Sequence, residues 1–151
     1  TIDLGARAGQ AEALTRLGGA VCDVRQVVGD SQSEPVRATV REIGGPVFDF
    51  LFIDGDHRFA GVSADFEGYA GMVRPGGIIA FHDVAAGIRR NAGTNDSADP
   101  GDVPRFWKEL KARFPGATTE LVESPGQWGC GIGILINGEN GDVDERRETG
   151  N

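Results

Sequence analysis

The chain has 151 residues, enough for one domain with a sizeable core, and a formal net charge of -8 from 23 acidic and 15 basic side chains. That charge argues against a nucleic-acid partner or an anionic membrane surface, since both require a basic face. There is no apolar run long enough to span a bilayer and no signal-peptide pattern, so the cytoplasm is the expected location.

In chain order, Thr1 to Gly5 reads as a strand end, with Asp3 following an apolar residue. Ala11 to Leu17 has helix-forming composition and stops at Gly18-Gly19. Val21 to Val28 reads as a second strand, ending at Gly29-Asp30-Ser31-Gln32. Ser33 then opens a helix as its N-cap, with Pro35 in the first turn and Val36, Val40 and Ile43 at helical spacing. Val47 to Ile53 is a run of large apolar residues broken only by Asp49, as expected of a strand buried on both faces of a parallel sheet. It ends abruptly in Asp54-Gly55-Asp56-His57.

Arg58 to Val73 follows as a helix with an apolar stripe of Val62, Phe66, Ala70 and Val73. Arg74-Pro75-Gly76-Gly77 is a turn, and Ile78 to Phe81 a strand that ends in His82-Asp83. Ala85 to Asp102 reads as a long polar loop of the kind that shapes a substrate site or forms a disordered insertion. Val103-Pro104 opens a helix whose Phe106, Trp107, Leu110 and Phe114 share a face. Thr119 to Glu123 and Cys130 to Ile136 are too close for a crossover helix and should pair antiparallel. Residues 137–151 read as a disordered tail. Cys22 and Cys130 both lie in apolar segments and read as buried free thiols.

Strand–helix alternation closed by a hairpin predicts an α/β fold, a doubly wound and mostly parallel sheet with helices on both faces. Ligands in such folds bind at the carboxyl ends of the strands. Both histidines of the chain lie at such ends, each beside aspartates. Asp54 and Asp83 offer carboxylates to a hard divalent cation, with His82 as a third donor. His57, three residues after Asp54, is placed to act as a general base on a substrate hydroxyl. The bland alternative has Asp54 and Asp56 capping the next helix and His82 hydrogen-bonded in the core. Asp3 could accept bonds from ribose hydroxyls, and Asp30, Ser31 and Gln32 could bind a flat polar ring; as plain turns they would need no ligand. Asp3 to Gly9 also reads acid-x-Gly-x-x-x-Gly, compatible with a glycine-rich cofactor loop.

Phe48 to His57, Asp65 to Tyr69, Val73 to Asp83 and Val103 to Trp107 together resemble the class I S-adenosylmethionine-dependent methyltransferases. The nearest group is that of bacterial O-methyltransferases of sugars and macrolides and the cephalosporin-hydroxylase-like proteins. The layout is also similar to the Mg²⁺-dependent catechol-type enzymes. The resemblance implies S-adenosylmethionine and Mg²⁺ as cofactors, Asp54, His82 and Asp83 as metal ligands, and His57 as base. His82 departs from the acid or amide usual at its place. The resemblance also puts adenine on Asp30, Ser31 and Gln32 and ribose on Asp3. On this register the glycine-rich motif and first strand would lie upstream of Thr1, which makes residues 1–136 an N-terminally truncated Rossmann-like methyltransferase domain. The implied acceptor is a small-molecule or sugar hydroxyl. Two other readings stay open: a domain that serves only association, including homo-oligomerisation through an exposed strand edge, and a metal-dependent hydrolase using the same Asp/His cluster.

Overall fold

The computed structural model describes residues 1–5, 9–18, 22–45, 47–87, 89–90, 97–124, 127 and 129–138. It forms two compact units, Thr1–Pro46 and Val47–Asn151.

In the first unit, β1 (Ile2–Asp3) pairs in parallel with β2 (Val27–Val28), Ile2 facing Val27 and Asp3 facing Val28. Helices α1 (Gln10–Gly18) and α2 (Glu34–Gly44) follow the two strands. Ser33 is the N-cap of α2 as expected, although its hydroxyl donates to the Asp30 carbonyl at 2.8 Å instead of accepting from the helix. The strand expected over Val21 to Val28 contracts to Val27–Val28. The physical reason is polarity: Asp23 and Arg25 pair with each other in solvent, 2.7 Å apart. Cys22 is exposed, which corrects its reading as a buried thiol.

In the second unit, β3 (Phe48–Ile53), β4 (Val73–His82), β8 (Ile132–Ile136) and β7 (Thr118–Leu121) form one sheet in the order β3-β4-β8-β7. β3 and β4 are parallel, joined through α3 (Phe59–Tyr69) and a single 3-10 turn (Ala70–Met72), while β8 runs antiparallel to both its neighbours. The expected closing hairpin is therefore present. The turn expected at Arg74 to Gly77 lies inside the span of β4, as an excursion between the pairings Phe48–Val73 and Phe50–Ile78. Gly76 makes it possible with φ 72, and Arg74 anchors it by an ion pair to Asp49.

Helices α3 and α4 (Val103–Arg113) pack side by side on one face of this sheet. Val62 and Phe66 from α3 and Phe106, Trp107 and Leu110 from α4 meet Ile53, Ile79, Phe81 and Leu135 from the strands. Burial of each such large side chain contributes about 1.5–3 kcal/mol, and the rings meet at tilted or edge-on angles that add to it. The apolar stripe read from the sequence of α3 is buried throughout, with Val62, Phe66, Ala70 and Val73 at most 3% exposed.

The opposite face differs from expectation. Phe50, Ile78 and Ile136 stand in one cross-strand row and are exposed, as is Phe52. β3 is thus buried on one face only within this unit, because α3 and α4 both lie on the other. The polar stretch after β4 carries a short antiparallel pairing of β5 (Arg89–Arg90) with β6 (Ser97–Ala98), where a continuous loop was expected. The fold also runs past Ile136. Asn137 is buried, and its side-chain amide donates to the Val73 carbonyl at 2.6 Å. Residues 139–151, where the disordered tail was expected, lie outside the described residues.

Candidate active site

The parallel register of β3 and β4 assembles the site. Ile53 faces Phe81, so the residues that follow, Asp54 just past β3 and His82 at the last position of β4, sit side by side at the strand ends. Asp54 Oδ1 lies 3.2 Å from His82 Nδ1. Asp83 then takes a left-handed backbone, φ 62, which is uncommon for a residue with a side chain. Its side chain is only 6% exposed, and its Oδ2 sits 3.3 Å from His82 Nδ1 and 3.3 Å from His57 Nε2. Asp54, His57, His82 and Asp83, expected to converge from two separate strand ends, form one cluster.

The ring of His57 is oriented from the far side of the chain. Its Nδ1 lies 2.8 Å from the carbonyl oxygen of Asp99. A carbonyl only accepts, so Nδ1 carries the proton and Nε2 presents its second site towards Asp83. The backbone of His57 is held as well, its carbonyl accepting from Asp102 N–H at 2.8 Å. Gly101 makes this approach possible: it has φ 55, and a Cβ there would fall 2.6 Å from the His57 carbonyl oxygen. Asp102 Oδ2 accepts from Phe59 N–H at 3.3 Å and so satisfies a free donor at the start of α3.

Asp56 takes no part in the cluster. Arg58 grips its carboxylate through side-chain and backbone hydrogen bonds and holds its pKa down at about 2. It does pack against the helix start, since Gly61 leaves it the room a Cβ would fill. Of the capping role that the bland reading gave to Asp54 and Asp56, Asp56 reaches only the N–H of the N-cap residue Arg58, Asp102 takes the Phe59 N–H, and Asp54 is left to the cluster.

Two features suit the cluster to a divalent cation. One oxygen of the buried Asp83 carboxylate, Oδ1, has no hydrogen-bond partner among the described residues. Buried carboxylate oxygens ordinarily have partners, so an unpaired one calls for a counter-charge. Secondly, two sets of donor atoms converge within 4.8 Å of one another: Asp54, His57 and Asp83, and His82, Asp83 and Cys130. Cys130 reads in the sequence as a buried free thiol and not as a donor, because it lies in an apolar segment and the cysteines and histidines have no zinc-ligand spacing. Asp99, Gly101 and Asp102 were unseen for another reason: their contacts with His57 are made by backbone atoms, and only the Pro100-Gly101-Asp102 turn signal marked the place.

The nucleotide-site candidates belong to the first unit. Asp3 ends β1, and its backbone carbonyl accepts from Gly29 N–H at 2.8 Å, so Asp3 and Asp30 lie at adjoining carboxyl ends of paired parallel strands. Asp3 Oδ1 accepts from Gly5 N–H and Oδ2 from the Gln10 amide. Asp30 Oδ1 accepts from Gln32 N–H at 2.9 Å, which closes the turn around Ser31.

The chain is similar in structure to the O-methyltransferase TomG from Streptomyces achromogenes, involved in tomaymycin synthesis and solved with SAM, at 22% identity and a TM-score of 0.58. That match covers 91% of this chain and 61% of TomG, so the chain spans less than two thirds of the length of that enzyme. It is also similar to an O-methyltransferase from Bacillus cereus solved with SAH, at 25% identity and a TM-score of 0.46, covering 76% of this chain and 50% of that one. No curated protein matches it in sequence. The likeness to TomG establishes a Rossmann-like α/β fold. The sequence profile of the methyltransferase domain matches residues 1–84, more than half the chain. On that match, with β1 to β4 in the order and pairing described, this chain belongs to the methyltransferase-domain family.

Proposed function

We propose that the chain carries out O-methylation of a small-molecule or sugar hydroxyl with S-adenosylmethionine as donor and assistance from a divalent metal. The observation that carries this reading is the convergence of Asp54, His57, His82 and Asp83 at the carboxyl ends of β3 and β4, with His57 locked in one tautomer by the Asp99 carbonyl. The family match and the SAM bound to the structurally similar TomG support it.

His57 acts as general base. With its proton on Nδ1, Nε2 is the site that takes the hydroxyl proton. Asp83 Oδ2, 3.3 Å away, then faces the imidazolium and stabilises it. The Asp99–Asp102 turn keeps the ring from rotating as the proton arrives. Asp54, His82 and Asp83 would hold the cation, whose chemistry there would be to lower the pKa of the acceptor hydroxyl and orient it. The resemblance named Mg²⁺, to which Asp54 and Asp83 offer hard oxygens and His82 does not. S-adenosylmethionine supplies an electrophilic methyl group, and the rate gain comes largely from alignment of the acceptor oxygen with it. Asp3 binds the ribose hydroxyls, and Asp30, Ser31 and Gln32 bind the adenine edge. The acidic charge of the chain suits a small-molecule acceptor and not a nucleic acid. No helix among the described residues is long and apolar enough to cross a membrane, and a cytoplasmic location fits.

Calorimetric titration with S-adenosylmethionine tests the donor assignment. Binding that falls at least tenfold in Asp3→Ala, roughly 1.4 kcal/mol or more, is the expected result. Binding unchanged by that substitution would remove Asp3 from the site. Hydrolysis of an ester or phosphoester without the sulfonium would favour a metal-dependent hydrolase instead.

A further inference from the structure

The second donor set, which shares Asp83 with the first, differs from it in chemistry. His82, Asp83 and Cys130 bring an imidazole, a carboxylate and a thiol within 4.8 Å of one another. His82 and Asp83 come from the end of β4, and Cys130 from the segment before β8, which pairs with β4. The two segments are tied together beyond the end of the ladder, where Ala85 N–H donates to the Cys130 carbonyl at 2.9 Å.

Three independent observations mark this set as built for a ligand. The Asp83 side chain is 6% exposed and its Oδ1 lacks a hydrogen-bond partner among the described residues. Asp83 and Cys130, at φ 62 and 55, are the only side-chain-bearing residues with a left-handed backbone among the described residues. Each carries a conformational cost, and both belong to this one set. Finally, Cys130 is half-buried and beside two donors, whereas the other cysteine, Cys22, is exposed and has no such neighbours among the described residues.

Donor softness then decides which ion fits. Magnesium demands oxygen ligands and binds imidazole and thiolate poorly. Nitrogen, oxygen and sulfur donors together favour a borderline ion such as zinc, and three protein ligands leave a coordination position open for an acceptor oxygen. We propose that His82, Asp83 and Cys130 form a site for a zinc-class divalent ion, with the Cys130 thiolate as a ligand. This rests on the proposed metal-assisted reading and specifies it, since His82 and Asp83 are shared.

The test uses metal alone, without methyl donor or acceptor, so a chain that transfers no methyl group still answers it. The full chain is stripped with chelator and loaded with Co²⁺. Zinc outcompetes magnesium at many sites, so affinity alone decides little; the deciding readout is the near-ultraviolet thiolate-to-cobalt charge-transfer band. The band is expected in the native chain and in Cys22→Ser, and lost in Cys130→Gly, where Zn²⁺ affinity falls at least about tenfold. Glycine suits the left-handed backbone at Cys130, so that variant should fold, and circular dichroism checks this. A native chain that binds Co²⁺ without the band, or a band that persists in Cys130→Gly, would overturn the proposal. Methyl transfer that fails while the band behaves as expected would instead count against the transferase reading alone.

Discussion

Replacing Gly101 with alanine should loosen the hold on His57, and the structure gives the size of the effect. Gly101 has φ 55, and an alanine Cβ there would lie 2.6 Å from the His57 carbonyl oxygen and 2.9 Å from its Cβ. The left-handed backbone costs a non-glycine residue roughly 1–2 kcal/mol. The clash is with backbone, which cannot swing aside, so the Asp102 N–H to His57 carbonyl bond must lengthen or break, at about 1 kcal/mol. The total is about 2–3 kcal/mol. Gly116 provides the control: it has φ 83, but a Cβ there meets nothing within 4 Å. Gly116→Ala should therefore show the backbone cost without the clash, and urea unfolding of the two variants isolates the difference. Imidazole ¹⁵N NMR supplies the second readout, and with two histidines in the chain the spectrum is simple. Gly101→Ala should move the His57 Nδ1–H signal off its hydrogen-bonded position, and Gly116→Ala should leave it alone. Equal destabilisation in both variants with an unmoved His57 signal would refute the idea that this turn positions the ring.

Gly133→Ala should destabilise the second unit by about 1–3 kcal/mol, because a Cβ there falls 2.7 Å from the buried ring of Trp107; a red-shifted tryptophan emission and a lower urea midpoint check it. Glu120 titrates below its ordinary 4.5 because Lys111 and the Trp107 indole N–H both bond its carboxylate. Its folded pKa is depressed, so its contribution to stability is present above about pH 4.5 and lost as pH falls through the lower folded value. The stability gap between native chain and Glu120→Gln should close on acidification, as measured by unfolding at a series of pH values. Asp54→Asn removes the carboxylate 3.2 Å from His82 Nδ1 and should weaken Co²⁺ binding on the order of tenfold by loosening that ligand, read by titration of the d–d absorption.

The site was legible in the sequence where side-chain type and strand ends coincide. Apolar runs broken by Asp54 and by His82-Asp83 marked two strand termini, and parallel pairing was enough to bring them together. The residues that complete the arrangement left little trace. Asp99 acts through a carbonyl, which every residue has, and Gly101 through the absence of a side chain. Cys130 looked like a core residue because Gly131 to Ile136 around it is small or apolar, and nothing in the sequence reveals its left-handed backbone. In the fold, the helix over Phe59 to Tyr69 was legible from its stripe. The solvent exposure of Phe50 and Phe52 was not, since an apolar strand reads alike whether one or both faces are covered.

The role of His57 is the centre of the account, and methyl transfer from isotopically labelled S-adenosylmethionine to a panel of phenolic and sugar hydroxyls measures it most directly. The native chain should transfer label, and His57→Ala should lose transfer by at least about a hundredfold while keeping its circular dichroism and its binding of S-adenosylmethionine. Transfer at the native rate in His57→Ala would contradict the assignment of the base, and with it the chemistry proposed for the cluster.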